Sequence, residues 1–469
     1  MISEIRQRSY YVAGDFISTS FAIFLFNVLR YHLVPAAARF NSLGEFLLAK
    51  GTLSGQIIFP LMMMAVYYLS GDYENLFIRS RLNEFLSTAR SAAIGALVFF
   101  FVAMLNDLLP RRTYNYALFM LLFLLLLSMV FIVRWARTQY TIRQLKSRHW
   151  GVNALIVGTG EVERSLARDI SEGEVTSGLR VVGYISPSDI AEREASDVFT
   201  IDELPRVCAR DDVKTVIMTP LPGGVSDTVA MLNNLYGLDV SILMTPDVAH
   251  LLTSRPRMSV VKGVPLIDVS GASASPGTLK IKRFSDVVVS GLGLLFLSPL
   301  MLVIGIAVKI DSAGPAFYSQ ERVGYRKRLF RIHKFRTMVT GAEPDGPALS
   351  SPGDARVTRV GRLLRKYRLD ELPNLWNVLC GDMSIVGPRP EREYFVRRIV
   401  ERAPYYSLLH QVRPGITSWG MVRYGYATDI DGMLERLKYD LIYLENMSFT
   451  IDMKILIHTV GTIIKGRGM

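Results

Sequence analysis

The sequence predicts a multi-domain membrane protein. Four spanning helices lead into a doubly wound α/β domain and then into a C-terminal domain seated on the bilayer. Three observations carry this expectation. Half of the 469 residues are hydrophobic, and the mean hydropathy is +0.25. Uncharged apolar stretches crowd the first 140 residues and return once near residue 300. Residues 280–370 hold 17 Lys and Arg against 7 Asp and Glu, while the parts on either side are each within one charge of balance. A field that concentrated attracts anions such as lipid headgroups, phosphorylated substrates or nucleic acid. A chain of this length is also too long for one compact domain.

The apolar stretches run over Phe16–Val34, Leu53–Leu69, Phe85–Leu105 and Tyr116–Val133. Each is near the roughly 20 residues that a helix needs to cross a hydrocarbon core, which makes 1–140 a bundle of four spans. The first lacks a small-residue cleavage pattern, so it is expected to be a span and not a signal peptide. Four spans put the N-terminus and everything after Trp135 on one side. Ten Lys and Arg lie on that side, from Arg6 to Arg148, and five on the other, from Arg30 to Arg112. By the positive-inside bias the C-terminal part faces the cytoplasm. Cys208 and Cys380 lie far apart without metal-ligand spacing and read as reduced cytosolic thiols.

Between 151 and 270 the pattern becomes α/β. Short β-rich runs at Ala154–Val157, Val181–Ile185, Thr215–Met218 and Val240–Leu243 alternate with helical stretches, as in a Rossmann-like parallel sheet. The first run opens into Gly158-Thr159-Gly160, a turn of the dinucleotide-binding kind. Glu163 stands where the third glycine of that fingerprint belongs, and Ser186, not an acid, closes the second run, with Asp189 a little late. A carboxylate at the pyrophosphate position argues against cofactor binding. A degenerate domain with a structural or regulatory role is the expectation.

A small-residue linker, Gly271 to Gly277, precedes a second membrane signal. Val287 to Val308 contains no charge and is long enough to span. Both flanks are basic, with Lys280, Lys282 and Arg283 before it and Lys309, Arg322, Arg326, Lys327 and Arg328 after it. A full crossing would carry the most basic part of the chain outside. Ser298-Pro299 lies at the middle, where proline cannot donate to the carbonyl of Leu295. A re-entrant helix over 285–309, bent at this pair, satisfies both facts, and an ordinary fifth span is the alternative.

Past that helix the charged residues thicken. Lys334 and Arg336 sit in Lys334-Phe335-Arg336-Thr337-Met338, then come Asp354, Arg356, Arg362, Arg365, Lys366 and Arg368. Next is the run from Leu369 to Asn377, where Leu369, Leu372, Leu375, Trp376 and Leu379 share one helical face and leave Asp370 and Glu371 beside it. Adjacent acids among cations stay ionised, so one carboxylate can attack phosphorus while the other holds a divalent metal or manages a proton. An acidic first turn favoured by the helix dipole explains the same pair without chemistry. Arg389 in Gly387-Pro388-Arg389-Pro390 and Arg413 in Arg413-Pro414-Gly415 present guanidinium forks on rigid loops, suited to phosphate oxygens or simply solvated. Ile451, Ile455, Leu456, Ile463 and Ile464 line one face of a last helix, which either lies on the membrane surface or packs on the domain. His333 and His410 read as structural.

Lys282-Arg283-Phe284-Ser285-Asp286, KFRTM (334–338), LDELPNLWNVL (369–379), MSIVGPRP (383–390) and RPGIT (413–417) resemble, in order, the motifs of the bacterial sugar transferase family. Its members are also called polyprenyl-phosphate glycosylphosphotransferases or monotopic phosphoglycosyl transferases. The motifs cover about 280–469, and the four spans with a degenerate nucleotide-fold domain resemble the large-subfamily architecture. The resemblance implies an α-rich α+β catalytic domain over 280–469 that transfers a sugar 1-phosphate from a UDP-sugar to undecaprenyl phosphate and releases UMP. It implies a location in the bacterial cytoplasmic (inner) membrane, starting exopolysaccharide, capsule or O-antigen synthesis. Asp370 takes the family's nucleophile position and forms a covalent phospho-sugar intermediate. Glu371 takes the position associated with Mg²⁺, and Ser298-Pro299 that of the bend in the re-entrant helix. Lys334, Arg336, Asp354, Arg356, Arg365, Arg389 and Arg413 are the expected substrate-binding set. Expected partners are the donor, the lipid acceptor and membrane lipids, with a homodimer allowed and no nucleic acid. Two departures stand out: Arg368 precedes Leu369 where many relatives carry a small hydroxyl residue, and Ser418-Trp419-Gly420 follows RPGIT. Two other functions are weighed against this one. A non-catalytic membrane-anchored nucleotide or lipid sensor would not need the Asp-Glu pair, and a tethered oxidoreductase would need the missing glycine.

Overall fold

A computed structural model of the chain describes residues 4–33, 40–74, 76, 81–104, 112–146, 151–172, 179–186, 197–219, 221, 224–238, 240–245, 258–261, 264–269, 274–343, 346–349, 353–425, 427 and 429–466. Val34 and Leu105, the expected ends of two spans, lie outside the described residues, as do Arg148, Asp189 and positions 271–273 of the expected linker. The chain divides into two compact units. The first holds the N-terminal helices and Ser275–Ile281; the second holds Val152–Glu172, Arg180–Ala274 and Lys282–Met469.

Helices α1 (Glu4–Leu33), α2 (Leu43–Leu48), α3 (Lys50–Leu69), α4 (Arg81–Phe99) and α5 (Arg112–Lys146) make up most of the first unit. All but α2 are long and apolar enough to cross a membrane. Ile23 and Phe26 of α1, Phe59 and Met63 of α3, Ala92 and Ala96 of α4, and Leu122 and Leu126 of α5 form one buried core. The outer faces are just as apolar, with Ile17, Phe21, Ile57, Leu61, Leu97 and Leu124 exposed, as suits helices whose solvent is lipid.

One feature of this unit escapes any hydropathy plot. Arg134 of α5 is 1% exposed and donates to both oxygens of Asp15, at 2.9 and 2.6 Å, and to Asp72 at 3.1 Å. Glu84 completes the cluster at 3.9 Å. Buried charges persist only where partners satisfy them, and removing one partner is strongly destabilising.

In the second unit, strands β1 (Val152–Val157), β2 (Leu179–Ile185), β3 (Val198–Phe199), β4 (Val213–Met218), β5 (Ser241–Met244), β6 (Met258–Val261) and β7 (Val264–Asp268) form one sheet in the order β3-β2-β1-β4-β5-β7-β6. The pairings β2–β3, β1–β4 and β4–β5 are parallel, and β7 runs antiparallel to both β5 and β6. Helices α6 (Glu161–Glu172), α7 (Leu204–Arg210) and α8 (Gly224–Leu235) accompany the strands. The four expected strands are β1, β2, β4 and β5. Leu155, Val157, Val216 and Met218 bury against Leu204, Met231 and Leu235, the pattern of a sheet covered by helices.

Helix α9 (Pro276–Asp311) runs unbroken through Pro299. Pro299 cannot donate to the carbonyl of Leu295, and the Ser298 hydroxyl supplies that bond at 2.9 Å. Leu295, Phe296, Leu300, Leu302, Val303 and Ile306 stay exposed. Lys282, Arg283 and Asp286 of α9 are spent inside the second unit. Lys282 meets Asp452 at 2.7 Å, and Arg283 donates to the carbonyls of Val378 and Leu379 at 2.6 and 3.0 Å. Asp286 accepts from Ser384 at 2.7 Å and from the Ile385 amide at 3.1 Å.

Beyond α9, β8 (Phe317–Val323) and β9 (Leu329–Phe335) form an antiparallel hairpin. Helix α10 (Arg359–Lys366) is capped by Thr358, whose Oγ1 accepts from Gly361 at 3.0 Å. A 3₁₀ turn at Leu369–Glu371 leads to α11 (Asn374–Cys380), and the short β10 (Ser384–Val386) pairs in parallel with β11 (Gly415–Thr417). Helices α12 (Glu393–Arg402), α13 (Trp419–Arg423), α14 (Ile430–Glu445) and α15 (Phe449–Ile464) close the unit. Phe395 and Ile399 of α12 pack on Met433 and Leu437 of α14.

Two expected faces are corrected. The leucines from 369 to 379 do not form one buried helical stripe, because Leu369–Glu371 is a 3₁₀ turn separate from α11 and these leucines are only partly buried. In α11 the buried residues are Asn374, Asn377 and Val378, and Trp376 is exposed. In α15, Ile455 is buried but Ile464 lies on the opposite, exposed side with Phe449, Ile457 and Val460.

Candidate active site

A cavity of about 510 Å³ opens among β8, β9, the 3₁₀ turn and the loop after β10, and Lys334, Arg365, Asp370, Glu371 and Arg389 all line it. Each arrives by a different route. Lys334 is on β9, whose alternation buries Phe335 and turns Lys334 to the cavity. Arg365 comes from the last turn of α10 and is steadied by donating its Nε–H to Thr337 Oγ1 at 2.9 Å. Arg389 comes from the proline-braced loop. Gly387 in that loop is obligatory, because a Cβ there would strike the Arg413 carbonyl.

The two acids have different surroundings. Glu371 is 4% exposed. Its Oε1 accepts from Lys334 at 2.6 Å and from Arg389 at 3.4 Å, and its Oε2 accepts from Arg368 at 2.5 Å. Burial alone would raise its pKa, but Arg368, Lys334 and Arg389 overcome that and hold it well below the ordinary glutamate value. Asp370 is half-buried and makes no hydrogen bond among the described residues. Burial, then the charge of Glu371, raises its pKa against the opposing pull of Lys334, Arg368 and Arg365. Burial also lowers the pKa of Lys334, more than the neighbouring Glu371 raises it.

The guanidinium groups in the rest of the expected set are spent on the chain itself. Arg336 lines the cavity, yet its guanidinium donates to the carbonyls of Pro315, Ala313 and Ser312 at 2.7, 2.8 and 2.7 Å, closing the chain after α9. Arg356 pairs with Asp354 at 2.6 Å and donates to Ala342 and Leu349 carbonyls at 3.2 Å, bracing the loop beside the cavity. Neither Asp354 nor Arg356 is in the cavity wall. Arg413 lies outside it too, donating to the Gly381 carbonyl at 2.8 Å and stacking near Tyr325. Sequence reasoning missed Glu391, which is buried in the wall between Arg436 at 2.5 Å and Arg322 at 3.3 Å. A lone glutamate after Pro390 carries no local signal.

Among the described residues there is no group of three metal-ligating side chains. Both oxygens of Glu371 are taken by cations, so a metal there would have to displace one. The carboxylate of Asp370, unbonded among the described residues, suits the other way Mg²⁺ binds, through one or two carboxylates with substrate phosphates and water.

In the α/β part, Glu163 folds over the glycine turn. An ideal Cβ on Gly158 or Gly160 would lie 2.8 Å from its carboxyl group, and Thr219 donates to its Oε1 at 2.5 Å. The chain's own carboxylate therefore occupies the place at the start of α6 where a pyrophosphate would sit.

Comparison with known proteins bears on residues 277–466, which match the family model described as bacterial sugar transferase. A UDP-N-acetylgalactosamine-undecaprenyl-phosphate N-acetylgalactosaminephosphotransferase from Aeromonas hydrophila is 43% identical over 41% of this chain and 46% of its own length. A UDP-glucose:undecaprenyl-phosphate glucose-1-phosphate transferase from Caulobacter vibrioides is 41% identical over 39% of this chain and 69% of its own length. An exopolysaccharide production protein from Rhizobium leguminosarum is 36% identical over 40% of this chain and 98% of its own length. The chain spans about half the length of the larger curated relatives it matches.

Proposed function

Because the chain belongs to the bacterial sugar transferase family, we propose that it moves a sugar 1-phosphate from a UDP-sugar to undecaprenyl phosphate and so initiates a surface polysaccharide. The observation that carries this reading is Asp370, a carboxylate without a hydrogen-bond partner among the described residues, lining a cavity with Lys334, Arg365 and Arg389.

An Asp370 carboxylate oxygen attacks the phosphorus that bears the sugar. The new bond is Asp370 oxygen to phosphorus, and the bond that breaks joins this phosphorus to the oxygen bridging to UMP, which leaves with the electron pair. A phosphate oxygen of the lipid then attacks the same phosphorus, breaks the acyl phosphate and returns Asp370 as a carboxylate. Lys334, Arg365 and Arg389 neutralise the phosphates and hold them in line, which is most of what phosphoryl transfer asks of a protein. Asp370, and Glu371 only on giving up one of its cations, would hold Mg²⁺ together with the donor's phosphates, and the ion would supply further charge neutralisation. Arg336, Asp354, Arg356 and Arg413 shape the surrounding backbone in this reading.

The architecture proposed with it has three parts: a four-span bundle in 1–140, a degenerate Rossmann-like domain in 151–270 and a catalytic domain in 280–469. The catalytic domain faces the cytoplasm and dips into the bilayer through a re-entrant α9. Two facts support this arrangement: the basic flanks of α9 and the Ser298–Leu295 bond at Pro299. The sensor alternative has less support, since Glu163 fills the glycine turn. The test is purified protein with Mg²⁺, undecaprenyl phosphate and a panel of UDP-sugars. UMP release is expected with at least one donor and is lost in Asp370→Asn. No UMP from any donor, or an active Asp370→Asn, would refute it.

A further inference from the structure

Four cationic side chains surround the acid pair, and Arg368 differs from the other three in lying behind the cavity wall. Lys334, Arg365 and Arg389 line the cavity; Arg368 does not. Its backbone is held at φ 55° and ψ 26°, the left-handed region that any residue with a Cβ disfavours. Glycine or asparagine would sit there more easily, so a long cation in that conformation points to a task for the side chain. Capping is not that task, because no side-chain hydrogen bond caps the 3₁₀ turn. What the geometry delivers is the guanidinium, which donates to Glu371 Oε2 at 2.5 Å with only 10% of the Arg368 side chain exposed.

Glu371 is thus held on two sides. Arg368 takes Oε2 from behind, and Oε1 faces Lys334 and Arg389 at the cavity. An oxygen of a buried carboxylate cannot be left bare. If Arg368 were lost, Oε2 would compete for the two cations that already hold Oε1, Lys334 and Arg389. Both line the cavity and would be drawn off it toward Glu371.

We propose that Arg368 is a positioning residue for donor binding: by holding Glu371 Oε2 it leaves Lys334 and Arg389 turned toward the donor's diphosphate. This rests on reading the cavity as the UDP-sugar site, and it adds a residue that does not itself touch the substrate.

The test is calorimetric titration of the purified full chain with UDP, which requires no turnover. Arg368→Asn suits the left-handed backbone but removes the charge, and Arg368→Lys keeps it. With the fold checked by thermal unfolding, Arg368→Asn should weaken UDP binding by about tenfold or more, the worth of one hydrogen bond to a charged group. Arg368→Lys should recover most of that loss. Should Arg368→Asn not fold, Arg368→Gln takes its place against Arg368→Lys. A charge-free variant that binds UDP as tightly as the wild type overturns the proposal, and so does a lysine variant as weak as the charge-free one. A wild type that binds UDP but releases no UMP contradicts the transferase reading and leaves this test standing, whereas a wild type that binds no UDP contradicts both.

Discussion

Asp370 and Glu371 are neighbours in one turn, and their surroundings push them in opposite directions. Three cations hold Glu371 ionised, while burial and the charge of Glu371 raise the pKa of Asp370. A nucleophile must be ionised, and a raised pKa means that fraction falls earlier as pH drops. The acidic limb of UMP formation is therefore expected above the ordinary aspartate range of about 3.9, and in Glu371→Gln it should move down toward that range. A limb unmoved by the substitution would contradict the coupling. For stability the sign at Glu371 is reversed: its ion pairs contribute fully above the ordinary glutamate pKa and are lost as pH falls through the folded-state value. Lys334 and Arg389 were legible from their motifs, and Arg365 from the basic run before the acid pair. Arg336, Arg356 and Arg413 were equally legible as arginines, but residue type does not say whether a guanidinium meets a cavity or a carbonyl. That depends on chain segments distant in sequence, such as the 312–315 turn that absorbs the donors of Arg336.

Among the elements, α9 was the most readable, since an uncharged stretch with basic ends and a central proline has few interpretations. What the sequence could not reveal is how the broken ladder is repaired, with Ser298 donating to the carbonyl that Pro299 leaves unpaired. If α9 re-enters, single cysteines at Leu279→Cys and Ile310→Cys should both react with an impermeant thiol reagent from the cytoplasmic side of inverted vesicles. Pro299→Leu, which restores the Leu295 bond and straightens the helix, should move Ile310→Cys out of reach. Labelling of Ile310→Cys only from the opposite face in the wild type would make α9 an ordinary span. The segment 369–379 was misread because its apolar spacing matches one helix, whereas the chain makes a 3₁₀ turn at Leu369–Glu371 before α11 begins. Asn377 is buried there for a reason periodicity cannot reveal: its side chain donates to the Arg331 carbonyl at 2.7 Å and accepts from the His333 amide at 3.2 Å.

At the scale of the molecule, hydropathy located the helices that, among the described residues, are five able to cross a membrane, although four spans and a re-entrant helix were expected; the β-rich runs located the α/β sheet, and charge distribution the basic stretch 280–370. The cluster of Arg134 with Asp15, Asp72 and Glu84 was not legible, because it is assembled from four segments spread over 120 residues of chain. The central claim is that Asp370 becomes covalently phosphorylated with the sugar attached. The most direct measurement is the mass of the intact protein, and of its 369–379 peptide, after mixing with an accepted UDP-sugar in the absence of polyprenyl phosphate. The wild type should gain the mass of one sugar phosphate at Asp370 with matching UMP, lose it on adding undecaprenyl phosphate, and gain nothing as Asp370→Asn. An adduct that persists in Asp370→Asn, or product formed from both substrates with no adduct at any time, would contradict the account.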